Sequence, residues 1–278
     1  MRWTVAFFLV VVATQDGLAG TPARPDLILA TTTSTQDSGL LDVLVPIFEE
    51  ASGYHVKTVA VGSGQALALA ARGEADVVLS HAPELEEKAV LDGTIVNRRL
   101  VMHNDFLIVG PPDDPANVKG LKDAAEACRR IAAARARFVS RGDNSGTHLV
   151  ERKLWKAAGI EPAGDPYIEA RQGMGATLTI ASEKAAYTLT DRATYLAFKS
   201  RITLVPFVQG EIRLLNPYHV LEVNPATFPR VNREGARAFA DFLVSRGAQY
   251  RIGSFAVAKY GVPLFVPDAG KRMEDLRR

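Results

Sequence analysis

Several clusters of small hydroxyl, amide and basic side chains are suited to holding an anion. The run Thr31-Thr32-Thr33-Ser34-Thr35 leads into Gln36-Asp37-Ser38-Gly39-Leu40-Leu41, and Arg141-Gly142-Asp143-Asn144-Ser145-Gly146-Thr147-His148 joins a guanidinium to two hydroxyls. Gly62-Ser63-Gly64, Ser80-His81 and Gly173-Met174-Gly175-Ala176-Thr177 are shorter stretches of the same kind. Hydroxyls donate hydrogen bonds, and a guanidinium adds fixed charge in a planar fork. An opening helix contributes unpaired N–H groups with partial positive charge. The competing reading of the first run is a helix cap by Ser34, Asp37 or Ser38. For the second it is an Arg141–Asp143 pair that only stabilises a turn.

Chemistry beyond binding has little support in these residues. Ser145, His148 and Asp143 are the residue types of a serine triad, but three neighbours on one turn rarely converge in the required geometry. No Gly-x-Ser-x-Gly elbow, phosphate-binding loop or pair of carboxylates at strand ends is present. His81 and His148 each lack a second ligand at metal spacing. The expectation is therefore a protein that is not an enzyme, with no catalytic residue, no cofactor and no bound metal cation.

The elements that must position these clusters alternate strand and helix. Leu27 to Ala30 is a short apolar run suited to a strand buried on both faces, and Leu40, Leu41, Leu44, Ile47 and Phe48 then recur at helical spacing. Strands are predicted over 56–61, 76–79, 105–110, 137–140, 185–189, 202–208 and 219–223. Helices are predicted over 65–72, 84–91, 121–136, 149–158, 178–184, 194–198 and 233–245. Pro46 breaks the first helical pattern. Repeated strand–helix units predict parallel sheets wrapped by helices, and in such sheets ligands bind at the carboxyl ends of the strands. Pro111 to Pro115 is the sharpest break in the chain. The layout expected is two α/β lobes: residues 20–105 with 216–278, and residues 106–215.

Composition narrows the class further. The 278 residues are 47% hydrophobic and 23% charged, as in ordinary globular proteins, and a net charge of +2 does not call for a nucleic-acid partner. Arg2, the apolar stretch Val5 to Ala13 and the small residues to Gly20 predict a signal peptide over 1–19, cleaved after Ala19. The only cysteine is Cys128, read as a buried small hydrophobe on a helix.

The hydroxyl run with Ser38-Gly39-Leu40-Leu41, the Arg141 to His148 turn and Gly173-Met174-Gly175-Ala176-Thr177-Leu178 resemble the periplasmic tungstate-binding proteins of ABC transporters, from about Leu27 to Val266. The resemblance implies a type II periplasmic binding fold: two lobes, a mostly parallel sheet in each, and a hinged cleft closing on a tetrahedral oxyanion. It implies delivery of tungstate, with molybdate as second ligand, to a permease in the inner membrane, by a protein acting as a monomer in the periplasm. By position it carries over Thr32, Thr33, Ser34, Ser63, Arg141, Ser145, Gly146 and Thr147. The alternatives are a molybdate, sulfate or phosphate carrier, a periplasmic anion sensor and, from another class, an exported hydrolase of phosphate esters.

More distantly the sequence resembles phosphate-binding proteins, which place an aspartate at the position of His81. Phosphate keeps a proton that an aspartate can accept, whereas tungstate and molybdate are fully deprotonated. His81 is therefore expected to donate an N–H to the anion and to disfavour phosphate.

Overall fold

The computed structural model describes residues 22–277, so the predicted signal segment 1–19 lies outside the described residues. The chain opens with β1 (Asp26–Thr32), α1 (Thr33–Asp37), α2 (Leu41–Ser52), β2 (His55–Val61), α3 (Ser63–Ala71), β3 (Val77–Ser80) and α4 (Pro83–Leu91). β1 pairs in parallel with β2 on one side and β3 on the other. A 16-residue strand comes next, β4 (Ile95–Gly110). Then come α5 (Ala124–Ala133), β5 (Phe138–Ser140), α6 (Gly146–Ala157), β6 (Tyr167–Glu169), α7 (Met174–Glu183), β7 (Thr188–Asp191), α8 (Arg192–Phe198) and β8 (Val205–Val208). The chain closes with β9 (Leu215–Val223), α9 (Arg233–Leu243), α10 (Arg246–Ser254), α11 (Val257–Tyr260) and β10 (Val266–Pro267).

β4 belongs to both halves of the molecule. Its first part pairs antiparallel with β9, which in turn pairs with β3, and its last part pairs antiparallel with β7 and β8. β5 and β6 are parallel, and Phe138 bridges in parallel to Tyr187 just before β7. The first half thus has a parallel core, β2-β1-β3, flanked by antiparallel β9 with β4 beyond it, and the second has parallel β6 and β5 next to β7, with β4 antiparallel to β7 and β8. The chain crosses between halves within β4 near Asp105, opposite Leu215 at the start of β9.

Burial follows the period of two that a strand imposes. In β1, Leu27 and Leu29 face a core built with Leu44, Phe48 and Phe239, while Ala30 faces a second built with Ala66, Val78 and Leu221. In β4, Phe106 and Ile108 join Phe138 and Trp155, while Leu107 and Val109 join Val139 and Leu178. Both faces of each sheet are therefore covered, and the strand ends remain the places where polar side chains can gather.

Several predicted boundaries move. β4 begins at Ile95, ten residues before the predicted start at Asp105, because it carries polar residues through two register irregularities against β9 and a left-handed Asn97 (φ 51°). The Pro111–Pro115 turn lies beyond the crossing. There Asp114 accepts from the backbone N–H of Val118 and Lys119 and from the Tyr187 hydroxyl (2.7 Å). Gly110 leaves the space that Tyr187 fills, since a Cβ there would fall 2.3 Å from the ring. α2 continues through Pro46.

Candidate functional site

The hydroxyl run forms both the end of β1 and a short helix. Thr32 is the N-cap of α1: its Oγ1 accepts from Thr35 N (3.3 Å) and shares a hydrogen bond of 2.7 Å with the Thr35 hydroxyl. The capping role expected of Ser34, Asp37 or Ser38 thus falls to Thr32, which also lies 3.2 Å from Ser34 Oγ. Ser38 ties α1 to the start of α2, donating to Thr35 O and accepting from Leu40 N. Thr31 points its hydroxyl at Leu79 O, and Thr33 is half-buried on the first turn.

Ser34 is buried and reaches His81, with Oγ 3.3 Å from Nε2. His81 follows β3, is 4% exposed and stacks on Tyr218 at 4.8 Å between ring centroids. Its Nδ1 lies 2.9 Å from Asn216 Oδ1, and Asn216 donates through Nδ2 to Asn104 Oδ1 (2.7 Å). Burial, opposed by the charge of Asp191 and aided by that of Arg141, holds the imidazole below its ordinary pKa and hence neutral. With a carbonyl oxygen at Nδ1, the proton sits there and Nε2 accepts from Ser34. This differs from the sequence expectation of an N–H directed at an anion: both ring nitrogens are engaged inside the protein.

The second half supplies the start of α6. Ser145 is its N-cap, Oγ accepting from His148 N, and Asn144 N donates to His148 Nδ1 (2.9 Å). These bonds use Ser145 and His148 as local caps, not as a nucleophile and its base. Asp143 accepts from Ser145 N (3.0 Å) and pairs with Arg141. Burial works against the Asp143 charge, but Ser145 and Arg141 outweigh it and hold the carboxyl below its usual range. Asp143 engages one terminal nitrogen of Arg141, which is only 3% exposed, while Arg141 Nε and Thr147 Oγ1 are buried with no partner among the described residues.

The halves meet at Gly146. Its N–H donates to Ser63 Oγ (3.3 Å) at the start of α3, and a Cβ on it would come within 3.1 Å of that oxygen and 3.2 Å of the His81 ring. The fold therefore brings Ser63 and His81 from the first half against Gly146 from the second, flanked by Ser145 and Thr147, with Ser34 hydrogen-bonded to His81 and Thr32 to Ser34. Arg141 and Asp143 hold each other at the foot of that turn. Thr177, from the third glycine-rich motif, turns its hydroxyl back to Gly173 O. Asn104, Asn216 and Asp191 went unnoticed in the sequence. Asp191 is buried and caps α8 by accepting from Thr194 N and Oγ1; its signal was an Asp three residues before a Thr at a strand end.

Two larger spaces border this cluster. A groove of about 970 Å³ on the second half is walled by Arg152, Trp155, Lys156, Tyr167 and Arg171. A cavity of about 330 Å³ between the halves is lined by His81, Phe106, Lys153 and Asn216. Neither is lined by Ser34, Ser63, Arg141 or Thr147. Among the described residues no group of three or more His, Cys, Asp or Glu is placed to hold a metal ion.

A family model described as a PBP superfamily domain matches residues 16–246. The chain belongs to that superfamily. Its architecture is accordingly the two-lobed α/β fold of periplasmic binding proteins, with the Ser63–Gly146 contact in the cleft between lobes. The tungstate-binding protein TupA of Peptoclostridium acidaminophilum is 47% identical over 253 residues, covering 90% of this chain and 88% of the relative. The crystal structure of the tungstate ABC transporter from Geobacter sulfurreducens matches with a TM-score of 0.77 at 50% identity, covering 83% of this chain and 98% of the other. The tungstate-binding protein TupA from Desulfovibrio alaskensis G20 matches with a TM-score of 0.75 at 42% identity, covering 88% and 99%.

Proposed function

We propose that this chain is an exported binding protein that holds tungstate, with molybdate as second ligand, and passes it to the permease of an ABC transporter. One observation carries the reading. Two buried donors, Arg141 Nε in the turn after β5 and Thr147 Oγ1 in the first turn of α6, have no partner among the described residues. A buried donor left unpaired costs about 1–3 kcal/mol, and a dianion between the lobes would satisfy both. Arg141 supplies the fixed charge and Ser63, Ser145 and Thr147 supply hydroxyl donors, while Ser34 and Gly146, whose protons are held by His81 and Ser63, line the site with Thr32 and Thr33 at the edge of α1. The relatives named for tungstate point the same way. Closing the lobes excludes water, which strengthens each of these dipoles.

A carrier needs no chemical step, and the local bonds of Ser145 and His148 accord with that. In His81 the neutral ring matters, as a carboxylate in its place would repel a dianion and offer phosphate an acceptor for its proton. Calorimetric titration of the chain from Gly20 onward with tungstate, molybdate, sulfate and phosphate tests the reading. Tight binding of the first two with phosphate silent is the expected result. Heat from phosphate or sulfate alone would make it a carrier for those anions, and silence with all four would overturn it.

A further inference from the structure

Behind the Arg141 turn lies a carboxyl with no part in the anion contacts. Glu151 is on α6, one helical turn after Thr147, and is 2% exposed. Its Oε2 accepts from Ser140 Oγ (2.9 Å) and its Oε1 from Tyr167 OH (2.7 Å). Ser140 Oγ also accepts from Gly142 N (3.1 Å). Ser140 and Gly142 flank Arg141, and the Arg141 carbonyl is held from the other side by Arg171 N (2.8 Å). The backbone that aims the guanidinium is therefore fixed through Ser140 to a single buried acid.

We propose that Glu151 is a positioning residue for the oxyanion site: its carboxyl holds the Ser140–Gly142 turn, and binding of the dianion is coupled to protonation of that carboxyl. This rests on the reading of the chain as an oxyanion carrier. Two negative charges entering at the start of α6 disfavour a third one a helical turn behind them, so a proton is taken up as the anion binds. Hydrogen bonding to the turn survives the uptake, because a neutral carboxyl still accepts from Tyr167 and can donate to Ser140 Oγ.

The surroundings support a proton exchanging near neutral pH. Burial pushes Glu151 up to about 7, against the hydrogen bonds of Tyr167 and Ser140 that favour its charge. From α5 the neighbour is Cys128, whose thiol burial pushes up to about 12 and so keeps neutral. From β6 it is Tyr167, its phenol held above the usual range by burial and by Glu151 itself, with Glu169 the next carboxylate along the strand. From the turn at the end of β5 it is the Arg141 backbone N–H, which favours the charged form, and on α6 itself His148 is held neutral below its ordinary range by burial. Glu211 lies beyond Cys128 as a more distant acid. Tyr167 also lines the 970 Å³ groove, so one hydroxyl separates Glu151 from that groove.

The test is calorimetry with molybdate and with tungstate, on the wild type and on Glu151→Gln, in buffers of differing ionisation enthalpy from pH 6.5 to 9. For the wild type, uptake approaching about half a proton is expected at pH 7 and more above it, with affinity falling about tenfold for each unit by which the anion raises the carboxyl. Glu151→Gln should bind with no buffer-dependent heat and a flat profile over the same range. Zero uptake by a wild type that binds either anion would overturn the inference while leaving the carrier reading intact. Undiminished uptake in Glu151→Gln would overturn it too. Silence with both anions would instead remove the carrier reading on which it rests. The wild-type measurement decides even where the variant folds poorly.

Discussion

Arg141 and His81 carry opposite lessons about charge in the proposed anion site. Arg141 has one terminal nitrogen held by Asp143 and its Nε without a partner among the described residues, so it is braced without being neutralised at that atom. Arg141→Ala removes a charge-assisted hydrogen bond worth about 1.5–3 kcal/mol, and tungstate affinity should fall roughly 10- to 100-fold or more by titration; an unaltered affinity would take the central charge out of the site. His81 acts by staying neutral. In His81→Asp a carboxylate would lie beside Ser34 and Gly146, so tungstate and molybdate should weaken at least tenfold while phosphate begins to compete, read in a displacement assay. Glu151 adds a pH term to folding. Its pKa is raised by burial from 4.5 to about 7, so the folded state binds the proton more tightly than the unfolded chain. Stability is then full below about pH 4.5 and declines as pH rises to about 7, with a loss on the order of 3 kcal/mol. Glu151→Gln should therefore narrow the difference in Tm between pH 5 and pH 8.5.

At the scale of elements, most of the architecture was legible in the sequence, as were the polar strand ends from which the proposed site is drawn, and the exceptions have local causes. α4 and α9 match their predicted extents to within a few residues, α9 because its apolar periodicity is unbroken and α4 because Pro83 fixes its start. α6 and α7 start earlier than predicted, at Gly146 and Met174, because glycines and hydroxyls that signal a turn here form the first helical turn. α1 escaped altogether. Its residues are poor helix formers, and the Thr32 cap with packing against α7 across the cleft compensates for them. The first part of β4 was hidden by Asn97, Arg98 and Arg99, which interrupt its apolar run. No sequence pattern announced that Asn216 and Asn104 would support His81, since they meet through strands paired across more than a hundred residues. Gly146 shows what the element boundary does for function: with Ser63 Oγ and the His81 ring within 3.3 Å of where a Cβ would lie, an added methyl would push the lobes apart at the site. Gly146→Ala should cost about 1–3 kcal/mol of anion binding by calorimetry, while Tm without anion changes little. Gly110→Ala should do the reverse, lowering Tm through its clash with Tyr187, whose hydroxyl is fixed by Asp114 and Ala116 N.

For the whole molecule the question is what favours the closed arrangement. The direct ties across the cleft are modest. Gly146 N to Ser63 Oγ is a long neutral hydrogen bond at 3.3 Å, and the Lys153–Glu84 pair bridges α6 and α4 with both side chains more than half exposed. An exposed ion pair contributes about 0–1 kcal/mol, too little to hold two lobes shut by itself. The Arg192–Asp105 pair is better shielded, but it joins α8 to the crossing strand β4 and can persist through a hinge motion about that strand. Closure must therefore draw on whatever contacts both lobes at once, and a dianion between α1, α3 and α6 is such a contact. Lys153→Ala should change tungstate affinity by less than about fivefold, within what an exposed pair supplies. Tungstate is expected to compact the wild type in small-angle scattering, and Arg141→Ala should show no compaction at a tungstate concentration that just saturates the wild type. If Lys153→Ala instead blocked compaction while Arg141→Ala did not, the latch would lie at the rim of the cleft and not at the anion.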